Sequence, residues 1–485
     1  MRVLLVSGIL DQGYYRKYGA DPYRKGDASG FTHVHTRTAG PYILKDSLIK
    51  EGISCDVLDF FSFWNPKDLQ RWCLKSKQKY DFIGFTGTFS HAQPINETVS
   101  YFKKYWPDAI TIVGCMNSLQ NINADYMVYG FGEKAIVKII NHEFFQEDLK
   151  FNKINNTKYI DAYKDYLTIK DDYTYKLFEE DGWHSKEPVF LEINRGCRFK
   201  CKFCSFPLLG IKEDTSGSEQ SFYDFLKRNY EEFGKKNYLL CDDTANNRTS
   251  SLVKLRNAVN KLDFQPMFVG FVRPDLVIRF PEQRELMAEM GFIGHQYGIE
   301  TFKHSTAKRI GKGVHPDIIK EYLVENYEYY SKHNLKTFFS SITMMAGLPG
   351  ESIEEMRESN RWIKETFKDN KNFSCWWFPL TLEDISLKET TGSISDFSVN
   401  ADKYGYKLLD TKVNFEGKVN KFSGLNWENE FTNLSEVYRL TAEFNSDTPD
   451  GSDLWKVPYW YRYTNKRNLN NSYIKDYIDL KLSRI

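Results

Sequence analysis

Three cysteines stand close enough along the chain to do chemistry as a set. They are Cys197, Cys201 and Cys204, in the run Asn194-Arg195-Gly196-Cys197-Arg198-Phe199-Lys200-Cys201-Lys202-Phe203-Cys204. The spacing is C-x3-C-x2-C. Three thiolates on one short loop can hold three irons of a 4Fe–4S cube. The fourth iron then lacks a protein ligand and is open to a small chelating molecule. Competing readings fit less well. Structural zinc wants four ligands, usually as two pairs, and no second pair is nearby; His184 lies upstream with nothing to bring it close. A fully ligated electron-transfer cluster needs a fourth cysteine, for which Cys241 is the candidate. Chance clustering of buried thiols is the bland alternative.

The elements around the loop must bring it to a cavity. Residues 189–193 read as a strand feeding straight into it. Further strands are expected at 238–240, 267–272, 292–298, 337–345 and 373–378, with helical stretches near 250–261, 282–290, 315–333 and 352–367. Phe222, Phe225, Leu226, Tyr230 and Phe233 share one helical face. Repeated strand–helix units of this kind predict a partial (β/α)6 TIM-like barrel over residues 187–385. Chemistry in such folds sits at the carboxyl ends of the strands, which is where the first strand delivers the cysteines.

Ahead of it, residues 1–145 alternate short apolar runs with helical patterns. Strands are expected at 3–6, 55–60, 82–85, 110–113 and 126–129. A helix is expected over 42–50, with Ile43, Leu44, Leu48 and Ile49 as candidates for its buried side. Continuous apolar strands between helices predict an α/β, doubly wound parallel sheet covered on both faces. Ligands in such sheets sit beyond the strands' carboxyl ends. Those ends carry Ser7, Thr86-Gly87-Thr88, Gly114 and Gly130-Phe131-Gly132-Glu133, and glycine lets a ligand approach the backbone closely. Residues 146–186 read as a polar connector with a short helix or two. Residues 386–485 lose the rhythm and form an α+β C-terminal extension containing Trp427, Trp455 and Trp460. Packing is the preferred reading of those rings over a substrate pocket.

Bulk properties narrow the class. At 485 residues the chain is long enough for about two to three domains. Its 41% hydrophobic content supports sizeable cores. With 66 Lys+Arg against 65 Asp+Glu, the net charge of +1 gives no global pull toward nucleic acid or anionic membrane. A bulk nucleic-acid partner is therefore disfavoured. Eight cysteines, five of them scattered singly, are no disulfide framework, so a reducing compartment is expected. The apolar run after Met1 reads as a buried first strand rather than a signal peptide. No stretch approaches the roughly 20 apolar residues that span a bilayer. A cytoplasmic location without membrane partners is the expectation.

The cysteine loop resembles that of the radical S-adenosylmethionine (SAM) superfamily, C-x3-C-x-Φ-C, with Phe203 at the aromatic position and Arg195-Gly196 before the first cysteine. The resemblance implies that SAM chelates the open iron of a 4Fe–4S cluster. An electron then cleaves SAM to methionine and a 5′-deoxyadenosyl radical, which takes hydrogen from an inert carbon. It also implies an external electron donor, flavodoxin- or ferredoxin-like, and a small-molecule or peptide substrate. Other stretches follow in the family's order. Asp242-Asp243-Thr244 occupies the place of the motif that binds the SAM amino group. Arg273-Pro274-Asp275 resembles the third-strand Arg-x-Asp segment. Tyr297-Gly298-Ile299-Glu300-Thr301 resembles the Gly-Ile-Glu-Ser segment, whose acid, here Glu300, faces the ribose or methionine end. Gly347-Leu348-Pro349-Gly350-Glu351 resembles the stretch near the adenine.

The order of domains resembles the cobalamin-binding class of that superfamily, and Gly130-Phe131-Gly132-Glu133 looks like its Gly-x-Gly-Glu segment. This implies a corrin between the two domains, with Thr86, Thr88, Gly114, Gly130 and Gly132 as its contacts, relaying a methyl group. Two departures stand out. The Asp-x-His-x-x-Gly loop is absent, which excludes a histidine on cobalt, and the usual Gly-Gly is Gly114-Cys115. A degenerate domain kept for structure or substrate binding is the alternative. Gly114-Cys115-Met116-Asn117 also resembles one ligand site of the methylthiotransferases. Against that, no cysteine follows the first strand, and Cys55 and Cys73 fall in a strand and a helix. His33 and His35 read as surface or core residues rather than metal ligands. The leading expectation is a cobalamin-dependent radical SAM methyltransferase acting on an unactivated carbon or phosphorus centre. Cobalamin-free hydrogen abstraction or rearrangement is the runner-up, and an iron–sulfur binding protein is the non-enzyme alternative.

Overall fold

In the computed structural model the chain builds two parallel sheets in succession. The structure describes residues 1–9, 37–76, 78–87, 92–115, 121–163, 174–185, 187–206, 208–332, 338–370, 372–383, 394–416, 421–446 and 472–485. His33, His35, Thr88, Met116, Asn117, Trp455 and Trp460 lie outside them.

The first sheet contains β1 (Arg2–Val6), β2 (Ser54–Leu58), β3 (Phe82–Thr86), β4 (Ile110–Cys115), β5 (Tyr126–Gly130), β6 (Asn152–Ile154) and β7 (Thr157–Ala162). Their order is β2-β1-β3-β4-β5-β7-β6, parallel except for the β6–β7 pair. Strand residues alternate between two cores: Val3, Leu5 and Phe82 pack on one face, and Leu4, Val6, Ile83 and Phe85 on the other. Chain order reverses between β1 and β3, the switch point that leaves a crevice beyond the strand ends.

Two expectations need correcting here. Helix Ala39–Lys50 buries Pro41, Tyr42, Lys45, Asp46 and Leu48, while Ile49 is exposed and Ile43 and Leu44 are half-buried. The reason is a charge pair that apolar periodicity cannot see. Lys45 Nζ reaches Asp181 Oδ2 and Glu180 Oε1, each at 2.8 Å, from the short turn Glu179–Asp181. A buried ammonium is tolerated when paired. The segment after residue 145, read as a connector with helices, instead supplies β6 and β7. The first sheet therefore continues to Ala162.

The second sheet holds β8 (Val189–Leu191), β9 (Asn237–Leu240), β10 (Met267–Val272), β11 (Phe292–Glu300), β12 (Phe339–Ala346) and β13 (Phe373–Pro379). They lie side by side in chain order, all parallel. Each expected strand is present. Helices join successive strands, including Glu219–Phe233, which buries Phe222, Phe225 and Leu226. The sheet is open: β8 and β13 do not pair among the described residues. The β13 edge is shielded by helix Leu434–Ser446, whose Asn445 amide takes the Trp377 N–H at 3.1 Å and donates to the Trp377 carbonyl at 2.9 Å. Capping an edge this way blocks pairing with another chain.

The extension adds the antiparallel hairpin β14 (Lys407–Glu416) and β15 (Lys421–Glu428). Trp427 is fully buried, and its indole N–H donates to the Leu380 carbonyl at 3.2 Å. The last helix, Ser472–Ser483, returns to the first sheet. There the Tyr477 hydroxyl accepts from the Asp59 N–H at 2.8 Å and donates to the Val57 carbonyl at 3.1 Å. Among the described residues no helix is long and apolar enough to cross a membrane.

Candidate functional site between the two sheets

The cysteine loop leaves the carboxyl end of β8 and folds back on itself. Gly196, at φ +84°, makes the first turn; a Cβ there would lie 2.8 Å from the Ile211 side chain. The Cys197 N–H then donates to the Leu208 carbonyl at 2.8 Å, and the Ile211 N–H to the Cys197 carbonyl at 3.1 Å. A tight turn from Cys201 to Cys204 closes with a 3.1 Å backbone bond. The Lys202 N–H donates to the Ile310 carbonyl at 3.0 Å, tying the loop to the far side of β11. All three cysteines are free thiols; Cys197 and Cys201 are buried and Cys204 is half-buried.

Donors surround the sulfurs. The Phe206 N–H points at Cys204 Sγ at 3.5 Å, Thr244 Oγ1 lies 3.7 Å from Cys197 Sγ, and Arg273 Nη1 lies 3.4 Å from Cys201 Sγ. Burial pushes the Cys197 thiol up, and pushes the Cys204 thiol up to about 12. Thiolates in so dry a loop need cations beside them, which a cluster's irons supply. Among the described residues no three His, Cys, Asp or Glu side chains converge on one point as a single metal ion would require. A cube asks for something else, since each sulfur takes its own iron corner. The loop's donor set and its N–H groups fit that group. Cys241 ends β9, but its thiol points to the Leu191 carbonyl at 3.6 Å.

The acids read from the sequence divide sharply. Asp242 is buried and accepts from the Ile193 N–H at 3.0 Å, from the Asn194 N–H and from Asn194 Nδ2 at 2.8 Å. It therefore staples β9 to the start of the cysteine loop. Asp243 keeps a solvent-exposed side while neighbouring protein crowds its carboxylate. Burial, with the charge of Glu192 adding to it, pushes it up to about 7. Thr244 turns toward Cys197. Glu300 has φ +71° beside a register shift in β11, an uncommon conformation for an acid. Its carboxylate folds over Gly298 and meets Lys312 Nζ at 3.0 Å. Arg273 grips Asp275 through Nε at 2.9 Å and Nη2 at 2.7 Å. Against the burial that would raise it, the guanidinium holds Asp275 below the usual carboxylate range. Gly347, at φ +92°, backs onto the Trp427 indole, and its carbonyl accepts from the Tyr406 hydroxyl at 2.8 Å. Phe203 is half-buried against the larger core.

Sequence reasoning missed the joint between the sheets. Arg195 is buried, with Nε 2.9 Å from Glu192 Oε1, and Nη2 donates to Glu133 of the first sheet's Gly-Phe-Gly-Glu turn. The same guanidinium lies 4.2 Å from the centroid of the Phe131 ring. Burial pushes Glu192 up to about 7 even with Arg195 beside it. Downstream, Phe206, Leu208 and Ile211 pack with Tyr129, Phe131, Cys115 and Tyr163 of the first sheet. The cysteine loop is thus clasped by both sheets. The pairing of two motifs, one basic and one acidic, was the available signal.

At the first sheet's mouth, Thr86 pairs in register with Gly114, and the Gly87 N–H bonds the Gly114 carbonyl at 2.7 Å. A Cβ on Gly114 would meet nothing within 4 Å among the described residues. Gly130 and Gly132 differ. At φ +104°, a Cβ on Gly130 would lie 2.7 Å from the Tyr163 nitrogen, and one on Gly132 would lie 3.2 Å from Leu44. Packing accounts for both, whatever else they touch.

Comparison with known proteins places this geometry. Residues 191–363 match the model of the Radical SAM superfamily. An uncharacterized protein of Methanocaldococcus jannaschii is 31% identical over 180 residues, covering 33% of this chain and 40% of that protein. An uncharacterized methyltransferase of Pyrococcus horikoshii is 27% identical over 206 residues, covering 41% of this chain and 42% of that one. The match thus spans about two fifths of each relative's length. Among solved structures, the radical SAM methyltransferase TsrM of Kitasatospora setae aligns with TM-score 0.63 at 13% identity, over 93% of this chain and 89% of that one. The cobalamin-dependent SAM radical enzyme OxsB aligns with TM-score 0.50 at 14% identity, over 83% of this chain and 56% of that one. At such identities the likeness is one of fold.

Proposed function

With residues 191–363 belonging to the radical SAM superfamily, we propose that this chain is a cobalamin-dependent methyltransferase acting on an unactivated carbon or phosphorus centre. One observation carries the reading: the cysteine loop is clasped between the carboxyl ends of two parallel sheets, through Arg195, Glu133 and the apolar contacts around Leu208. When bound, a 4Fe–4S cluster with SAM supplies a radical and an electron path, and a corrin supplies a methyl carrier.

The chain's own residues do the placing. Cys197, Cys201 and Cys204 would hold the cluster. Asp243 is the exposed carboxylate of its turn, Asp242 being buried and hydrogen-bonded, so it is the one suited to the SAM ammonium. Asp242 holds the strand ends that set the distance between them. Gly114, whose side-chain direction meets no atom within 4 Å among the described residues, suits the corrin's nucleotide tail, and Thr86 stands beside it. The methyltransferase named among the sequence relatives and the shared TsrM fold support methyl transfer. A small molecule or peptide as substrate and an external one-electron donor complete the proposal. The methylthiotransferase reading loses ground, because Cys55 and Cys73 pack in cores on opposite faces of the first sheet and cannot share a cluster.

The test is anaerobic reconstitution with iron, sulfide and hydroxocobalamin, followed by SAM and a strong reductant. Retention of one corrin per chain and methylation of a supplied acceptor support the proposal. A cluster-loaded chain that binds no corrin overturns it in favour of cobalamin-free chemistry.

A further inference from the structure

Arg273, at the end of β10, reaches back to the cysteine loop. Nη1 donates to Cys201 Sγ at 3.4 Å, and both residues are buried. The guanidinium is held from several directions. Its Nε–Nη2 edge grips both Asp275 oxygens, which leaves the Nη1 edge for the sulfur. Its carbon lies 3.6 Å from the centroid of the Phe199 ring. The Arg273 N–H is fixed by Asn246 Oδ1 at 2.8 Å. Phe199 belongs to the cysteine loop itself, so the cation and the sulfur are held in one frame.

We infer that Arg273 is a positioning residue for the cluster, and that its fixed charge at the Cys201 sulfur raises the cluster's reduction potential. This rests on the cluster reading above. An electron entering the cluster adds one negative charge. A cation hydrogen-bonded to a ligand sulfur in dry surroundings stabilises that form more than the oxidised one. Arginine keeps its charge at any working pH. Asp275 offsets part of the charge but sits on the other edge of the guanidinium.

The test compares the wild-type chain with Arg273→Gln and Arg273→Lys, each loaded anaerobically with iron and sulfide. Iron content is measured first. Each protein is then titrated with dithionite and viologen mediators while the EPR signal of the reduced cluster is followed. Arg273→Gln is expected to load iron and titrate at a more negative potential. Arg273→Lys, which keeps the charge but loses the fork, is expected to shift less in the same direction. If only the lysine variant loads, its shift decides. A loaded variant that titrates with the wild type overturns the inference. So does iron loss in both variants, which would make Arg273 an assembly residue. A wild-type chain that takes up no cube removes the cluster reading and this inference together. A wild-type cluster whose signal responds to SAM, beside variants of unmoved potential, removes only the role of Arg273.

Discussion

The two sheet mouths are built on opposite plans. At the second sheet's mouth nearly every polar side chain has a partner that explains its place. Asp242 holds β8 to β9, Arg273 bridges Asp275 and Cys201, Lys312 holds Glu300, and Thr244 turns to Cys197. At the first sheet's mouth the notable residues are glycines, and two of the three are explained by neighbouring backbone or side chains. A site prepared for a charged, reactive group needs fixed dipoles and ions. A site for a large flat ligand needs room, and room leaves fewer marks on a sequence. The difference can be tested residue by residue.

The largest effect is expected from Cys201→Ala. Losing one of three thiolates should abolish the iron–sulfur chromophore and all SAM cleavage, read by iron analysis and visible absorption. A brown, fully loaded Cys201→Ala protein would show that this cysteine is no ligand. Gly114→Val is its counterpart at the other mouth. It should leave iron content untouched and lower corrin retention.

Arg195→Met comes next, because it attacks the joint between the mouths. Removing a buried cation leaves Glu133 and Glu192 to face each other unpaired, a change that costs about 3–5 kcal/mol in comparable buried pairs. Chemical denaturation should show it as a large drop in midpoint. A drop within error would mean that the sheets are held by their shared apolar core and the Arg37–Glu187 pair rather than by Arg195.

Gly130→Ala and Gly114→Ala sharpen the contrast within the first mouth. At φ +104°, with the Tyr163 nitrogen 2.7 Å from the new Cβ, alanine at 130 should destabilise by about 2 kcal/mol or more. Alanine at 114 meets nothing within 4 Å among the described residues and should move stability by less than about 0.5 kcal/mol. Equal losses at both positions would erase the distinction between a packing glycine and a ligand-facing one.

Legibility followed the same division. Most strands of both sheets were readable, because buried parallel strands are short apolar runs bounded by turns, as at Phe82–Thr86 and Asn237–Leu240. The cysteine loop was readable because spacing alone limits what three thiols can do. Partners distant in sequence were not. Lys45 lies among the buried residues of its helix because Asp181 waits 136 positions later. Arg195 reads as part of a cysteine motif until Glu133 is seen beside it. β6 is three residues long and mostly polar, and β7 interleaves Tyr159, Ile160 and Ala162 with Lys158 and Asp161, so the chain past residue 145 carries little apolar signal for them. Glu300 could be placed on β11 from its motif, but the bulge that turns its carboxylate to Lys312 has no sequence mark.

The smallest effect separates two acids that share a shift but not a setting. Burial pushes Glu351 from the ordinary 4.5 up to about 8, and pushes Asp243 up to about 7. Glu351 is sealed: Oε1 accepts from Thr301 Oγ1 at 2.8 Å, and Oε2 has no hydrogen-bond partner among the described residues. Its raised pKa means the folded chain binds that proton more tightly than the unfolded one. The stabilising contribution is therefore full below about pH 4.5 and is lost as pH rises through about 8. Glutamine imitates the protonated acid at every pH. The melting temperature of the wild type should fall behind that of Glu351→Gln as pH climbs from about 5 to about 9, by several degrees at most. Asp243→Asn should show a weaker trend in the free protein, because its carboxylate can reach solvent, and the trend should change when SAM is added. The gap between the wild-type and Glu351→Gln curves should not change with SAM, because SAM stabilises both proteins alike. If SAM left the gap between wild type and Asp243→Asn unchanged as well, Asp243 would not be the acid that meets SAM.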